Sequence, residues 1–192
     1  GEHAICAGLK EEMSVTIKGH VGYYCGGMNQ KANICIEGNA GTGLGENMMS
    51  GIIHVKGNTS QSAGATAHGG TIIIDGNASS RCGISMKGVD IIVKGSVGHM
   101  SAFMAQAGTL MICGDAGDAL GDSIYETVIY MAGKPKTLGV DCIEKKITKK
   151  DLKKIENLIK TGNVKKLKPH NFKKFGSARK LYNFNIDNVS EY

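Results

Sequence analysis

The chain has 192 residues, 41% of them apolar, with 28 glycines, two prolines, no tryptophan and a formal net charge of +6. That is enough for one domain plus an appendage, and no apolar run approaches the roughly 20 residues that a membrane-spanning helix needs. No basic start followed by an apolar stretch reads as a secretory signal, so a soluble chain in a reducing cytoplasm is expected.

Seven glycines then recur every nineteen residues, at Gly19, Gly38, Gly57, Gly76, Gly95, Gly114 and Gly133. Apolar residues stand two and four positions before each, from Val15 and Ile17 through Ile72 and Ile74 to Ile129 and Met131. Alternation of that kind marks a short, half-buried strand. A second glycine follows seven positions on, at Gly26, Gly45, Gly64, Gly83 and Gly121, with Ala102 as the substitute. A unit so short cannot bury its apolar face alone and must stack on its neighbours. The expected fold is all-β, a right-handed parallel β-helix of about seven 19-residue coils over residues 1–139. At strand spacings of about 4.8 Å such a stack stands about 34 Å tall.

Two further columns fit a narrow interior. Val21, Ala40, Thr59, Ala78, Val97 and Ala116 follow the first glycine by two positions, and Cys25, Leu44, Ala63, Cys82, Ser101 and Leu120 by six. Asn39, Asn58, Asn77 and Asp115, directly after the glycine, are expected to be left-handed corner residues whose side chains bond nearby backbone. Gly76, a central corner, is expected to need positive φ, so a β-branched residue there should cost about 1–3 kcal/mol.

Beyond Gly139 the rhythm stops, and residues 140–192 form a basic helical cap with an aromatic tail. Thr148 and Asp151 have the spacing of an N-cap with an acidic third residue; Leu152, Ile155, Leu158 and Ile159 share a face, and Gly162 is the expected stop. The apolar stripe is expected to cover the last coil, protecting its open end. Phe172, Phe175, Leu181, Tyr182 and Phe184 suggest docking onto the coil wall or a partner. Residues 1–139 carry nine Lys or Arg against eleven Asp or Glu, whereas 140–192 carry fourteen against six. The basic tail lacks aromatic interleaving, so an acidic protein partner or a solvated face fits better than nucleic acid.

Chemical signals are few. The four central cysteines of the six (Cys6, Cys25, Cys35, Cys82, Cys113, Cys142) fall in different columns or three coils apart, which excludes disulfides among them and leaves small buried hydrophobes. Gly41-Thr42-Gly43-Leu44-Gly45 invites a phosphate-loop reading, but no helix follows and its outer glycines are repeat positions. Ser80, His99 and Asp118 occupy one column on successive coils, in the order of a Ser-His-Asp relay. That column also holds Tyr23, Thr42 and Gln61, as any polar exterior ladder would, and it offers no oxyanion donors. A second column, Gln30, Met49, His68, Lys87, Gln106 and Tyr125, reads as surface. The carboxylates Glu37, Asp75 and Asp90 are taken to scatter over columns and coils, unlike the acidic clusters of β-helical lyases and hydrolases, and a period of nineteen does not suit hexapeptide acyltransferases. No catalytic, cofactor-binding or metal-binding residue is assigned.

The glycine repeat, with Gly41 to Gly45 in it, resembles the C-terminal β-helix domain of the glutamate synthase large subunit over nearly the whole chain. Gly22 to Asn29, Glu46 to Gly51, Gly98 to Gln106, Gly114 to Ser123, and Gly176-Ser177-Ala178-Arg179 with Tyr182-Asn183-Phe184 are similar to free-standing subunits of glutamate synthase-like and N-methylglutamate synthase-like complexes. The resemblance implies a non-catalytic scaffold that bridges a glutamine amidotransferase subunit and an FMN and iron-sulfur synthase subunit, neither cofactor lying in this chain. The repeat also resembles a component of formylmethanofuran dehydrogenase whose metal centre likewise lies elsewhere in its complex. A hydrolase using Ser80, His99 and Asp118 is the remaining alternative, and self-association through the first coil stays open.

Overall fold

The structure, a computed structural model, describes residues 1–179. Seven strands follow one another at the nineteen-residue interval: β1 (Ser14–Ile17), β2 (Asn33–Ile36), β3 (Ile52–Val55), β4 (Thr71–Ile74), β5 (Lys87–Val93), β6 (Ala107–Ile112) and β7 (Val128–Met131). Each pairs with the next in parallel, so that Ile34, Ile53, Ile72, Ile91, Leu110 and Ile129 form one in-register column. A second parallel ladder, past the corner that follows each strand, joins Val21, Ala40, Thr59, Ala78, Val97, Ala116 and Pro135. The chain is therefore a parallel β-solenoid, as the repeat requires. Its two expected small-residue columns line the interior, each member at most 5% exposed.

The corners differ from expectation. Asn39, Asn58, Asn77 and Asp115 are not left-handed, and neither is Gly76. The left-handed residues fall instead along the wall after the second ladder, at alternate positions in every coil: Gly43 (φ 75°), Gly45 (64°) and Asn47 (54°), then in a later coil Met100 (54°), Ala102 (57°) and Met104 (50°). Alternating hand turns successive N–H groups to opposite sides. Gly43 N–H donates to Gln61 O in the following coil at 3.0 Å, and Gly45 N–H to Cys25 O in the preceding coil at 2.9 Å. Left-handed non-glycine residues cost of order 1 kcal/mol each and persist because both neighbouring coils hold them.

After β7 come β8 (Cys142–Lys145), α1 (Lys149–Gly162), a 3-10 turn (Pro169–Asn171) and β9 (Lys173–Ser177). β9 pairs antiparallel with β7, and β8 antiparallel with β9, so the residues after 139 extend the same sheet. The open end is closed by these strands, which bring Phe175 and Cys142 into the inner core. Helix α1 does not cover that end as expected. It lies across the outer face of the sheet, where Ile155 and Leu158, with Phe172, pack on Ile73, Ile92, Met111 and Tyr130. The outward residues of the first three coils, Thr16, Cys35 and His54, give no such stripe. Covering an apolar side chain contributes about 1.5–3 kcal/mol, which decides the helix's position.

Thr148 caps α1 with a full capping box to Asp151. The stop is Asn163 in the left-handed region, while Gly162 is the last helical residue, where a Cβ would meet Ile92 Cγ2 at 2.9 Å. Leu152 is exposed rather than packed. Phe172 and Phe175 dock as expected; Leu181, Tyr182 and Phe184 lie outside the described residues. No helix among the described residues is long and apolar enough to cross a membrane.

Candidate functional site

The residue directly after each first glycine builds a continuous polar spine. His20 Nδ1 accepts the Asn39 N–H at 2.8 Å, Asn39 Oδ1 that of Asn58, Asn58 Oδ1 that of Asn77, and Asn77 Oδ1 that of Ser96, each at 2.8 Å. Ser96 Oγ and Asp115 Oδ1 carry it on to Lys134. The expected backbone-bonding ladder is thus present, with side chain and N–H belonging to different coils. Its role is to lock coil on coil.

The column of Ser80, His99 and Asp118 stacks on the wall just before the left-handed residues, but no hydrogen bond joins the three side chains among the described residues. Ser80 is buried and His99 exposed. Asp118 Oδ2 accepts from Lys136 Nζ at 2.7 Å and Oδ1 from Thr137 Oγ1 at 3.4 Å. The Lys136 hydrogen bond holds the Asp118 carboxyl below its usual range. A carboxylate engaged by a lysine does not orient an imidazole as a relay requires. Gln30, Met49, His68, Lys87 and Gln106 are exposed and Tyr125 half-buried, so the second column is surface.

The N–H groups of Gly43 and Gly45, which a phosphate loop would present to its anion, donate to neighbouring coils. All six cysteines are free, and no group of three or more His, Cys, Asp or Glu among the described residues has metal-ligand geometry. The residues present do not fit an iron-sulfur cluster, whose usual ligands are four thiolates. Burial pushes the Cys82 thiol up to about 12, and burial together with the charge of Cys6 does the same for Cys25.

Sequence reasoning missed a charged column on the outer face. Lys18, Glu37, Lys56, Asp75 and Lys94 succeed one another at the repeat interval, with sign alternating from coil to coil. Glu37 and Asp75 therefore share a column rather than scattering. Asp75 Oδ1 meets Lys94 Nζ and His54 Nε2, each at 2.8 Å, and Oδ2 lies 3.9 Å from Lys56 Nζ. Burial alone would raise the Asp75 carboxyl; hydrogen bonds from Lys94 and His54 outweigh it and hold the group low. The interval itself was the available signal.

The left-handed wall carries exposed apolar side chains where its coils begin, with Tyr23, Tyr24 and Met28 each about half accessible and Met104 further along. The Tyr23 and Tyr24 rings meet edge to face, 6.4 Å between centroids. By its fold the chain is a parallel β-solenoid repeat protein, with side chains joining coil to coil and an exposed apolar patch on its left-handed wall. The GXGXG motif family matches residues 4–186, and the chain belongs to that family, the one that includes the glutamate synthase C-terminal domain. It is also similar to Protein GlxC of Rhizobium meliloti (strain 1021), with 54% identity over 96 residues, which is 50% of this chain and 42% of that protein. No solved structure matches. Through that family the chain is related to glutamate synthase.

Proposed function

We propose that the chain is a non-catalytic scaffold subunit of a multi-subunit glutamate synthase-like oxidoreductase, holding a glutamine amidotransferase subunit against a synthase subunit that carries FMN and an iron-sulfur cluster. The observation that carries this reading is the exposed Tyr23, Tyr24 and Met28 cluster on a wall whose backbone is fixed coil to coil. Exposed apolar patches on rigid surfaces mark protein contacts, and aromatic residues with Met are enriched there. The donor set, with six thiols dispersed through the stack, supports placing the redox groups in partners.

A tagged chain drawn from native extract under mild conditions should bring down a flavoprotein with an amidotransferase, and Tyr24→Asp should release them. Recovery of formylmethanofuran dehydrogenase components instead would favour the second family resemblance. Absence of any flavoprotein would sink the scaffold reading. Hydrolase activity is tested separately by His99→Ala against activated esters, where equal rates for both proteins remove that alternative.

A further inference from the structure

Residues 2–9 lie along the wall of the first coil, one residue out of step with the regular stacking. Between full coils Gly45 N–H donates to Cys25 O, twenty residues back, at 2.9 Å, whereas Gly26 N–H donates to Ile5 O, twenty-one residues back, at the same distance. Ala4 N–H to Tyr23 O and Gly8 N–H to Gly27 O, each at 2.7 Å, keep that shift. Backbone hand repeats it: left-handed Ala4 (φ 54°), Cys6 (58°) and Gly8 (69°) lie over left-handed Tyr24 (59°), Gly26 (66°) and Met28 (55°). Cys6 therefore lies over Gly26, and Ile5 over Cys25.

Both thiols face the interior. A Cβ at Gly26 would meet Ile53 Cδ1 at 2.6 Å and Ile34 Cδ1 at 3.3 Å, and Ala102, which takes the same place in a later coil, belongs to the inner core. Cys6 packs against that core and Cys25 is buried within it. The two are diagonal neighbours, with Cα atoms about 6 Å apart for layers about 4.8 Å apart and residues about 3.3 Å apart along the chain. A disulfide spans about 4.4–6.8 Å between Cα atoms. The charge of Cys6 also adds to the burial that raises the Cys25 thiol. No other two of the six cysteines occupy adjacent layers of one wall: Cys35 and Cys113 belong to the outer sheet, Cys82 lies three periods beyond Cys25, and Cys142 is in β8.

We propose that Cys6 and Cys25, both free in the structure, are an oxidisable pair that closes to an intrachain disulfide and ties residues 2–9 to the first coil. The oxidant is a small disulfide of the glutathione type. The Cys6 thiolate attacks one of its sulfurs and expels one thiolate; the Cys25 thiolate then attacks Cys6 Sγ in the mixed disulfide and expels the second. The two protons given up by the cysteines go to the two expelled thiolates, so one disulfide is reduced as one forms. Cys6, the less buried of the two, reacts first. The tied segment also carries His3, whose Nδ1 accepts the Tyr23 N–H at 2.9 Å and whose ring centroid lies 4.6 Å from that of Tyr23, so the link braces the exposed aromatic patch. The pair does not depend on the scaffold reading.

The test is native wild-type chain held with oxidised glutathione at about pH 8.5, quenched in acid, blocked with N-ethylmaleimide and digested with trypsin without reduction. Mass spectrometry should find peptide 1–10 joined to peptide 19–31, and the intact protein lighter by two hydrogen atoms. The urea midpoint should rise and return to its starting value with dithiothreitol. Cys25→Ser should stop at one glutathione on Cys6. A Cys6 that stays unmodified, a glutathione adduct that persists on Cys6 in the wild type, or a link that forms only in urea overturns the proposal. So does Cys6 joined to any other cysteine or to a second chain.

Discussion

Asn58 Oδ1 accepts the backbone N–H of Asn77 at 2.8 Å, one full coil away, while the N–H of Asn58 itself donates to Asn39 Oδ1 at the same distance. Each spine residue is both acceptor and donor. Truncation at one position leaves one N–H without its partner, at a net cost of about 1 kcal/mol for an exposed site. Asn58→Ala should lower the midpoint of urea unfolding accordingly, and Asn58→Asp should retain most of it. Equal losses for Ala and Asp would show that the side-chain oxygen is not what joins the coils.

Gly76 is constrained by contact and not by backbone hand. A Cβ there would overlap Asn58 Oδ1 and lie 2.8 Å from Gly57 O, while φ is outside the left-handed region. Gly76→Ala should therefore cost about 1–3 kcal/mol, in the range of overpacking. The coupling is the sharper test: with Asn58→Gly already present, the added cost of Gly76→Ala should shrink, by at least about 0.5 kcal/mol in a double-mutant cycle. Strict additivity would place the clash on the Gly57 carbonyl rather than on the Asn58 side chain.

Much of this architecture was legible because one interval governs it. The period of nineteen alone gives the seven parallel strands, the inward isoleucine column and the two small-residue columns. The position of α1 was legible too, in the change of outward residue from Thr16, Cys35 and His54 to Ile73, Ile92, Met111 and Tyr130, but a periodic core invites attention to inward positions only. The left-handed wall was not, since Tyr24, Arg81 and Met100 adopt positive φ with ordinary side chains. The β8 and β9 closure was hidden because antiparallel pairing after a helix leaves no interval to read. Of the candidate columns, stacking was foreseeable from the repeat, whereas the Asp118 contact with Lys136 was not, because those residues lie eighteen apart, off the period.

Asp151 joins the helix to the sheet. Burial alone would raise its carboxyl, but hydrogen bonds from Lys174, Thr148 and Tyr130 overcome that and hold it well below the usual carboxylate range. Its oxygens lie 2.8 Å from Lys174 Nζ and 2.6 Å from Tyr130 Oη. A depressed folded-state pKa contributes stability that is fully present above the unfolded value near about 4 and is lost as pH falls from there toward the folded value. Unfolding free energy should decline below about pH 4. Asp151→Asn should cost about 3 kcal/mol near neutrality by stranding Lys174, and should flatten that acid limb. An acid limb identical to the wild type's would place the titration elsewhere.

The thiols give a map of the interior that needs no mutation. Burial raises Cys142 to about 11 despite the opposing charge of Lys145, and Cys25 and Cys82 stand at about 12. At pH 8 a thiol of pKa about 12 is ionised about once in ten thousand molecules, and only the thiolate alkylates. Cys35 sits half-buried on the part of the outer sheet that α1 leaves uncovered. In native protein treated with iodoacetamide at about pH 8, mass spectrometry should find Cys35 modified first and Cys25, Cys82 and Cys142 intact until urea is added. Early modification of Cys82 would mean that the central coils open locally, and the solenoid would then be a looser stack than the continuous spine from His20 to Lys134 implies.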